Sequence, residues 1–339
     1  MTPAAAHRDI RELKAGDRLE DEIYRVAQKD LRTTNNGSLY IHVVMADATG
    51  QLLGRMWNAS QEIYDAMPEG GLLHFRGRVE NYKGARQFIV DGLRAVEPGE
   101  VQAADFLPAT REDVEAMWAR VKEILRTVQH RDLLALLARF VNDTDFARAF
   151  QTSPAAVSMH HARVGGLLEH TRNLLELALV VTPRYPGVSR DLVLAGIFLH
   201  DAGKVRELAY ETNFSYTDEG QLIGHISIAL LWIREKAAEV EKESGRPFPR
   251  EVEMALGHII LAHHGKYEFG SPRLPATAEA IMVHYLDNLD AKLSMIFEAI
   301  EGDNDPKTRW TDYVKALETR VFKVDVMGVR SPPGDASRP

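Results

Sequence analysis

LVLAGIFLHDAGK, residues 192–204, decides how the second half of this chain folds and what chemistry it can carry. Its first eight residues are apolar or glycine, so a helix here has no solvated face and belongs inside a domain. The run then presents His200 and Asp201 side by side, followed by Gly203 and Lys204. An ionised aspartate at the end of a buried segment is costly unless a cation compensates it. No arginine or lysine lies within the apolar run, and a metal ion is the simplest compensation.

The rest of the composition agrees with that reading. A length of 339 residues suggests two domains. There is no cysteine, which excludes disulfides, thiolate nucleophiles and every Cys-based metal site. Any metal must therefore be held by histidine and carboxylate, and the expected compartment is the cytoplasm. No apolar run approaches the roughly 18 residues needed to span a bilayer, and the opening MTPAAAHRDIRELKAGD lacks an apolar core of signal-peptide length. Lys and Arg number 41 against 49 Asp and Glu, a net charge of −8. That balance argues against non-specific coating of nucleic acid, while leaving room for a local basic groove.

Residues 18–97 read as short strands. LYIHVVMADATGQLLGRMW holds two β-rich runs broken at Ala48–Thr49–Gly50, preceded by Asn35–Asn36–Gly37, which is turn chemistry. A helical patch, ASQEIYDAM, follows. Two further strands lie in LLHFRGRVENYKGARQFIVDGLRAV, with a turn near Lys83–Gly84. Leu73, Phe75 and Val79 alternate with His74, Arg76 and Arg78. Five strands with a helix between the third and fourth is the order of an OB-fold barrel, a fold that commonly binds single-stranded nucleic acid through a basic, aromatic-bearing face. Candidates for such a face are Trp57, His74, Arg76, Arg78, Tyr82, Lys83 and Arg86, with Arg25 and Arg32. The same residues also suit a solvated strand face around a core tryptophan.

Periodicity is lost over EPGEVQAADFLPA, and residues 99–110 are expected to be a linker. The barrel is assigned to residues 15–98, after an N-terminal extension of residues 1–14. Thr110 is the expected N-cap of TREDVEAMWARVKEIL. From residue 111 to 322 the pattern reads as helical throughout, and residues 323–339 as a disordered tail.

Of the 13 histidines, nine lie between residues 160 and 284. His170 shares the apolar stripe of its helix with Leu174, Leu177 and Val181. His225 opens a helix after a polar loop, and His263 and His264 close IILAHHG. On the last long helix the main apolar stripe runs through Ile281, Tyr285, Leu289, Leu293, Ile296 and Ile300. Asp287 falls on another face with Ala280, Ala291 and Ser294, whose small side chains allow other helices to come close. Asp290, one turn on, reads as an outer group, and His258 and His284 as residues that orient ligands. The ordered set of histidines and aspartates on separate helices, without sulfur, suits a divalent transition metal: Mn, Co, Fe, Ni or Zn.

These motifs resemble the HD-domain metal-dependent phosphohydrolases, and more closely the YhaM-type 3′–5′ exoribonucleases, which join an OB domain to an all-helical HD domain. The resemblance spans roughly residues 15–300. It rests on DATGQLLGRMW, NYKGARQFIV, HHARVGGLLEHT, LHDAGKVREL, YTDEGQLIGHISI, ILAHHGKYEFGSP and HYLDNLDAKL. It implies a multidomain α and β protein, with a barrel followed by a helical bundle. By similarity, His170, His200, Asp201 and Asp287 hold one metal, and Asp201 bridges to a second held by His225, His263 and His264, with manganese the expected ion. Gly166 stands where some related enzymes have an acidic residue one turn before the first ligand, which argues against a third metal.

The activity implied is stepwise hydrolysis of single-stranded RNA, or DNA, from its 3′ end to 5′-mononucleotides. Lys204 would offset phosphate charge, His161 would contact the scissile phosphate or the leaving oxygen, and Ser271 and Arg273 would line the substrate path. The partner expected is single-stranded nucleic acid, with no membrane and with a homo-oligomer open. Two other readings stay open: a phosphohydrolase of cyclic dinucleotides or nucleoside triphosphates, and a non-catalytic nucleic-acid-binding regulator.

Overall fold

The computed structural model describes residues 7–34, 36–82, 84–97, 99–101, 103–157, 162–210, 214–303 and 308–329. The chain divides into two compact units. One runs to Pro108 and resumes at Met295; the other comprises Ala109–Tyr210 and Phe214–Ser294.

In the first unit β1 (Arg18–Thr33), β2 (Leu39–Asp47), β3 (Gly50–Trp57), β4 (Leu72–Tyr82) and β5 (Ala85–Ala95) close into a barrel in the order β1-β2-β3-β5-β4, with α1 (Gln61–Ala66) between β3 and β4. All pairs are antiparallel except β3 with β5. This is the OB arrangement. The interior is filled by alternate residues, among them Ile41, Val43 and Met45 of β2, Phe75 and Val79 of β4, and Phe88 and Val90 of β5. Gly77 sits at a bulge where β4 meets β5. A Cβ there would lie 2.0 Å from the Ile89 carbonyl oxygen, so only glycine lets the strands approach.

Two segments expected to lie outside the barrel pack into this unit. Ile10 and Leu13 are buried in the barrel core, and the Ile10 amide donates to Asp47 Oδ2 at 2.7 Å. Phe106 and Leu107, in the expected linker, are buried as well. Isolated apolar residues carry no periodicity, so neither segment shows itself in the sequence.

The second unit is helical: α2 (Val114–Leu125), α3 (Arg131–Val141), α4 (Thr144–Thr152), α5 (Gly166–Val181), α6 (Arg190–Leu199), α7 (Lys204–Glu207), the short strands β6 (Leu208–Ala209) and β7 (Ser215–Tyr216), α8 (Asp218–Leu222), α9 (His225–Ser244), α10 (Arg250–Ala262) and α11 (Ala278–Gly302), the last continuing into the first unit. The N-cap of α2 is Asp113 rather than Thr110; its carboxylate accepts from Ala116 N at 3.0 Å. α6 is the buried hub, with every residue from Val193 to Leu199 inaccessible.

α11 turns its small-residue face inward. Ala280, Val283 and Ala291 are buried, while Ile281, Tyr285, Leu289 and Leu293 are exposed. The helical reading of the chain up to residue 322 fails beyond α11: β8 (Trp310–Val314) and β9 (Thr319–Phe322) form an antiparallel hairpin. Thr, Tyr, Val and Phe dominate those runs and favour strands, but runs of five and four residues are too short to display a period. No helix among the described residues is long and apolar enough to cross a membrane.

Candidate active site

Most of the histidines and aspartates singled out above sit at helix ends or one turn inside them. His200 and Asp201 follow the last turn of α6, His263 and His264 follow α10, and His225 is the first residue of α9. His170 lies one turn into α5, and Asp287 midway along α11. Folding brings them together in two groups. Ligand atoms of His170, His200 and Asp201 lie within 4.8 Å of one another, and so do those of His225, His263 and His264. Asp287 Oδ1 joins the first group, 3.2 Å from His170 Nε2. Asp201 Oδ1 faces the second, 3.5 Å from His225 Nε2 and 3.7 Å from His263 Nε2.

Each ring is held by its other nitrogen. His200 Nδ1 donates to the Ile197 carbonyl at 2.7 Å, His263 Nδ1 to Ile260 at 2.8 Å and His264 Nδ1 to Phe269 at 2.7 Å. A carbonyl only accepts, so the proton is on Nδ1 and Nε2 keeps its lone pair. His225 Nδ1 is 2.9 Å from Glu207 Oε1, which also accepts the His225 amide. His170 Nδ1 is 2.7 Å from Asp290 Oδ2, and Asn173 donates to the other oxygen of that carboxylate. His284 Nδ1 donates to the His263 carbonyl at 2.8 Å and steadies the α10 terminus. His258 orients no ligand; its Nε2 accepts from Ala276 N at 2.8 Å and pins the loop before α11.

The electrostatics favour neutral imidazoles at His263 and His264 beside an ionised Asp201, and a charged imidazole at His170 in the absence of an ion. Burial pushes the pKa of Asp201 up, but Lys204 (Nζ to Oδ2, 2.7 Å) and His200 hold it well below the usual carboxylate range. Burial, with His264 and His200 alongside, pushes His263 well below its ordinary value, and burial beside His225 lowers His264. Burial opposes charge on His170, yet its hydrogen bonds to Asp287 and Asp290 raise it to about 10.

Among the described residues, Nε2 of His200, His225 and His263 and Oδ1 of Asp201 are buried and make no hydrogen bond. Leaving one such atom unpaired costs about 1–3 kcal/mol. Four converging lone-pair donors of nitrogen and oxygen are the chemistry of a divalent-metal site. Glu207 is the residue the sequence reading missed; its only sequence signal is its place in the segment LHDAGKVREL. A third group, His7, Asp9 and Asp47, lies in the barrel unit. There the Asp47 oxygens are already taken by His7, Ile10, Thr49 and Gly50.

His161 lies outside the described residues, and one candidate leaves this picture. Ser271 is buried, and its hydroxyl faces the carbonyls of Leu261 and Arg273; it closes a loop instead of lining a substrate path. Arg273 is exposed on the same loop.

The HD domain family model matches residues 167–292, the span that holds all seven metal-ligand candidates. The 3′–5′ exoribonuclease YhaM of Geobacillus sp. (strain WCH70) is 35% identical over 289 residues, covering 85% of this chain and 86% of that one. This chain belongs to the YhaM family of 3′–5′ exoribonucleases. Two solved structures give partial likenesses. The HD domain of the L. monocytogenes phosphodiesterase PgpH is 20% identical, covering 48% of this chain and 76% of that one, with a TM-score of 0.26. The second OB-fold domain of replication protein A from Methanococcus maripaludis is 21% identical, covering 27% and 95%, with a TM-score of 0.22.

In this YhaM-family chain the barrel gathers only part of the expected basic and aromatic face. Trp57 pairs with Tyr40 across β2 and β3, ring centroids 5.1 Å apart. The Arg55 guanidinium lies 5.9 Å from the Trp57 ring and 5.2 Å from the Tyr82 ring. Trp57 is 43% exposed and Tyr82 46%. Arg55, which the sequence reading passed over, thus sits between two exposed rings.

The other basic candidates are engaged elsewhere. His74 faces outward on its strand but is covered, with Nδ1 3.1 Å from Asp21 and Nε2 2.9 Å from Glu100. Arg78 is bound by Glu80 and Asp91, Arg86 donates to the Leu13 carbonyl, and Arg32 pairs with Asp30. Arg76 is exposed beside Arg18 and Asp91, and Arg25 is partly buried. Lys83 lies outside the described residues.

Proposed function

We propose that this protein hydrolyses single-stranded RNA from its 3′ end, one nucleotide at a time, releasing 5′-mononucleotides in a metal-dependent reaction. The observation that carries the reading is the ring of buried, unpaired Nε2 and Oδ1 atoms around Asp201, found in a chain of the YhaM family. Two ions fit the two groups. His170, His200, Asp201 and Asp287 would hold one; His225, His263 and His264, which Asp201 Oδ1 faces, would hold the other. The donor set suits manganese, and cobalt, iron, nickel and zinc share its preferences. Bound there, such ions would supply Lewis-acid chemistry, activating water and polarising the phosphodiester.

The protein's own groups do the rest. Nδ1 anchors fix each ring so that its lone pair points at the centre. Lys204, held at Asp201, adds positive charge where a phosphate arrives. His161 keeps its assignment as a contact to the scissile phosphate or the leaving oxygen. In the barrel, Tyr40, Trp57 and Tyr82 offer π faces to successive bases and Arg55 adds a cation, the combination that holds single strands without reading their sequence.

The test is a gel time course of 5′-labelled single-stranded RNA with Mn²⁺, run beside Asp201→Ala. The expected result is a ladder shortening from the 3′ end that the variant does not produce. Intact RNA in both lanes would overturn the exonuclease reading and direct attention to cyclic dinucleotides and nucleoside triphosphates.

A further inference from the structure

The loop after α10, residues 265–274, packs directly against the candidate metal centre. It is pinned throughout. Gly265 N donates to the Ala262 carbonyl at 2.9 Å, Ser271 N to Lys266 at 3.2 Å and Arg273 N to Leu261 at 3.2 Å. Gly265 and Gly270 take φ of +77° and +81°, values that favour glycine. A Cβ at residue 265 would fall 2.1 Å from His284 Cε1, so that glycine also makes room for the ring that steadies His263.

On this rigid backbone Tyr267 is 61% exposed and Phe269 57%. Lys266 Nζ stands 5.4 Å from the Phe269 ring. The Phe269 carbonyl accepts the His264 Nδ1 proton at 2.7 Å, so the residue that carries the ring also orients a candidate ligand.

Two large rings held more than half exposed on a pinned loop present apolar faces to a ligand. Beside a phosphodiester-cleaving centre they match a substrate whose every unit has a flat apolar base and an anionic phosphate. We infer that Tyr267 and Phe269 form a stacking platform for the base at the 3′ end of the substrate, with Lys266 and Arg273 facing its phosphate. The inference rests on the exonuclease reading and adds to it the part that recognises the terminal nucleotide. The platform reads the presence of a base and not its identity, because every base has a π face. Through the Phe269 carbonyl, seating a base on the ring also holds His264 in its working orientation.

The experiment compares kcat/KM, with Mn²⁺, on an RNA ending in a normal nucleotide and on the same RNA with an abasic 3′ residue. Wild type, Tyr267→Ala, Phe269→Ala and Phe269→Leu are run in parallel; the leucine variant keeps bulk in the loop but offers no π face. Wild type is expected to lose about tenfold on the abasic substrate, the worth of one stacked base. In the alanine variants the two substrates converge, and in Phe269→Leu the gap narrows. A purely structural role for the rings would lower both substrates together and preserve the tenfold gap, which would overturn the platform. So would a wild type indifferent to the abasic end. A wild type that hydrolyses bis(p-nitrophenyl) phosphate but no RNA would overturn the exonuclease reading itself, and the platform with it.

Discussion

Lys204 and Asp201 form an ion pair within the helical unit, Nζ to Oδ2 at 2.7 Å, and the pair leaves Asp201 Oδ1 turned toward His225 and His263. The aspartate side chain is 4% exposed and the lysine 13%, so removing the cation strands a buried charge. Lys204→Met is expected to destabilise the metal-free protein by about 3 kcal/mol. The loss should shrink when Mn²⁺ is added, because an ion at Asp201 replaces the missing charge. Urea unfolding with and without the metal measures both quantities, and an equal loss in the two conditions would argue against an ion at Asp201.

Glu207 and Asp290 each hold the Nδ1 of a proposed ligand histidine, His225 and His170. Glu207→Gln and Asp290→Asn are therefore expected to weaken Mn²⁺ binding about 10- to 100-fold. Each should act on its own group, so the double variant should affect both binding steps in a calorimetric titration. Wild-type affinity in both single variants would remove these carboxylates from the centre.

Trp57→Ala should weaken binding of single-stranded RNA about tenfold, since it deletes one stacking face and one side of the Arg55 slot. Fluorescence anisotropy with a labelled oligonucleotide in the Asp201→Ala background, where no turnover is expected, reads this directly. Arg78→Ala serves as the contrast. Its guanidinium is already bound by Glu80 and Asp91, so little change is expected.

The N-terminal segment carries a pH signature. The hydrogen bond to Asp47 raises His7 above its ordinary 6.5 although burial opposes it. Between the two values the folded state binds the extra proton, so stability falls as pH rises. The contribution is complete below about 6.5 and is lost as pH climbs through the folded value. Hydrogen exchange at the Ile10 amide, whose proton Asp47 accepts, should show protection falling as pH rises above about 6.5, after correction for the intrinsic rate. His7→Asn should flatten that profile; a flat profile in wild type would refute it.

The candidate metal centre was largely legible in sequence because most of its residues stand at helix ends next to apolar runs, where an ionisable residue has no solvated alternative. His200–Asp201 and His263–His264 are of this kind. Glu207 and Asp290 were harder. What they do depends on a partner 18 and 120 residues away, and no local pattern encodes that. The barrel was legible in strand order and inner face, since alternation reports burial. Its outer face was not, because alternation cannot tell a free arginine from one bound by neighbouring carboxylates. His74 and Arg78 look like Arg55 in sequence, and only the register separates them.

The rings are anchored over two very different ranges of sequence. His200 and His263 bond to carbonyls three residues back, so the last turn of α6 and of α10 is enough to orient them. His225 depends on Glu207 of α7, 18 residues away, and His170 on Asp290 of α11, 120 residues away. Three of the proposed ligand rings, with His264 beside His200 and His263, are therefore oriented by contacts within a few residues, and two by contacts distant in sequence. Substitutions in α7 or α11 can therefore disturb the centre without touching a ligand.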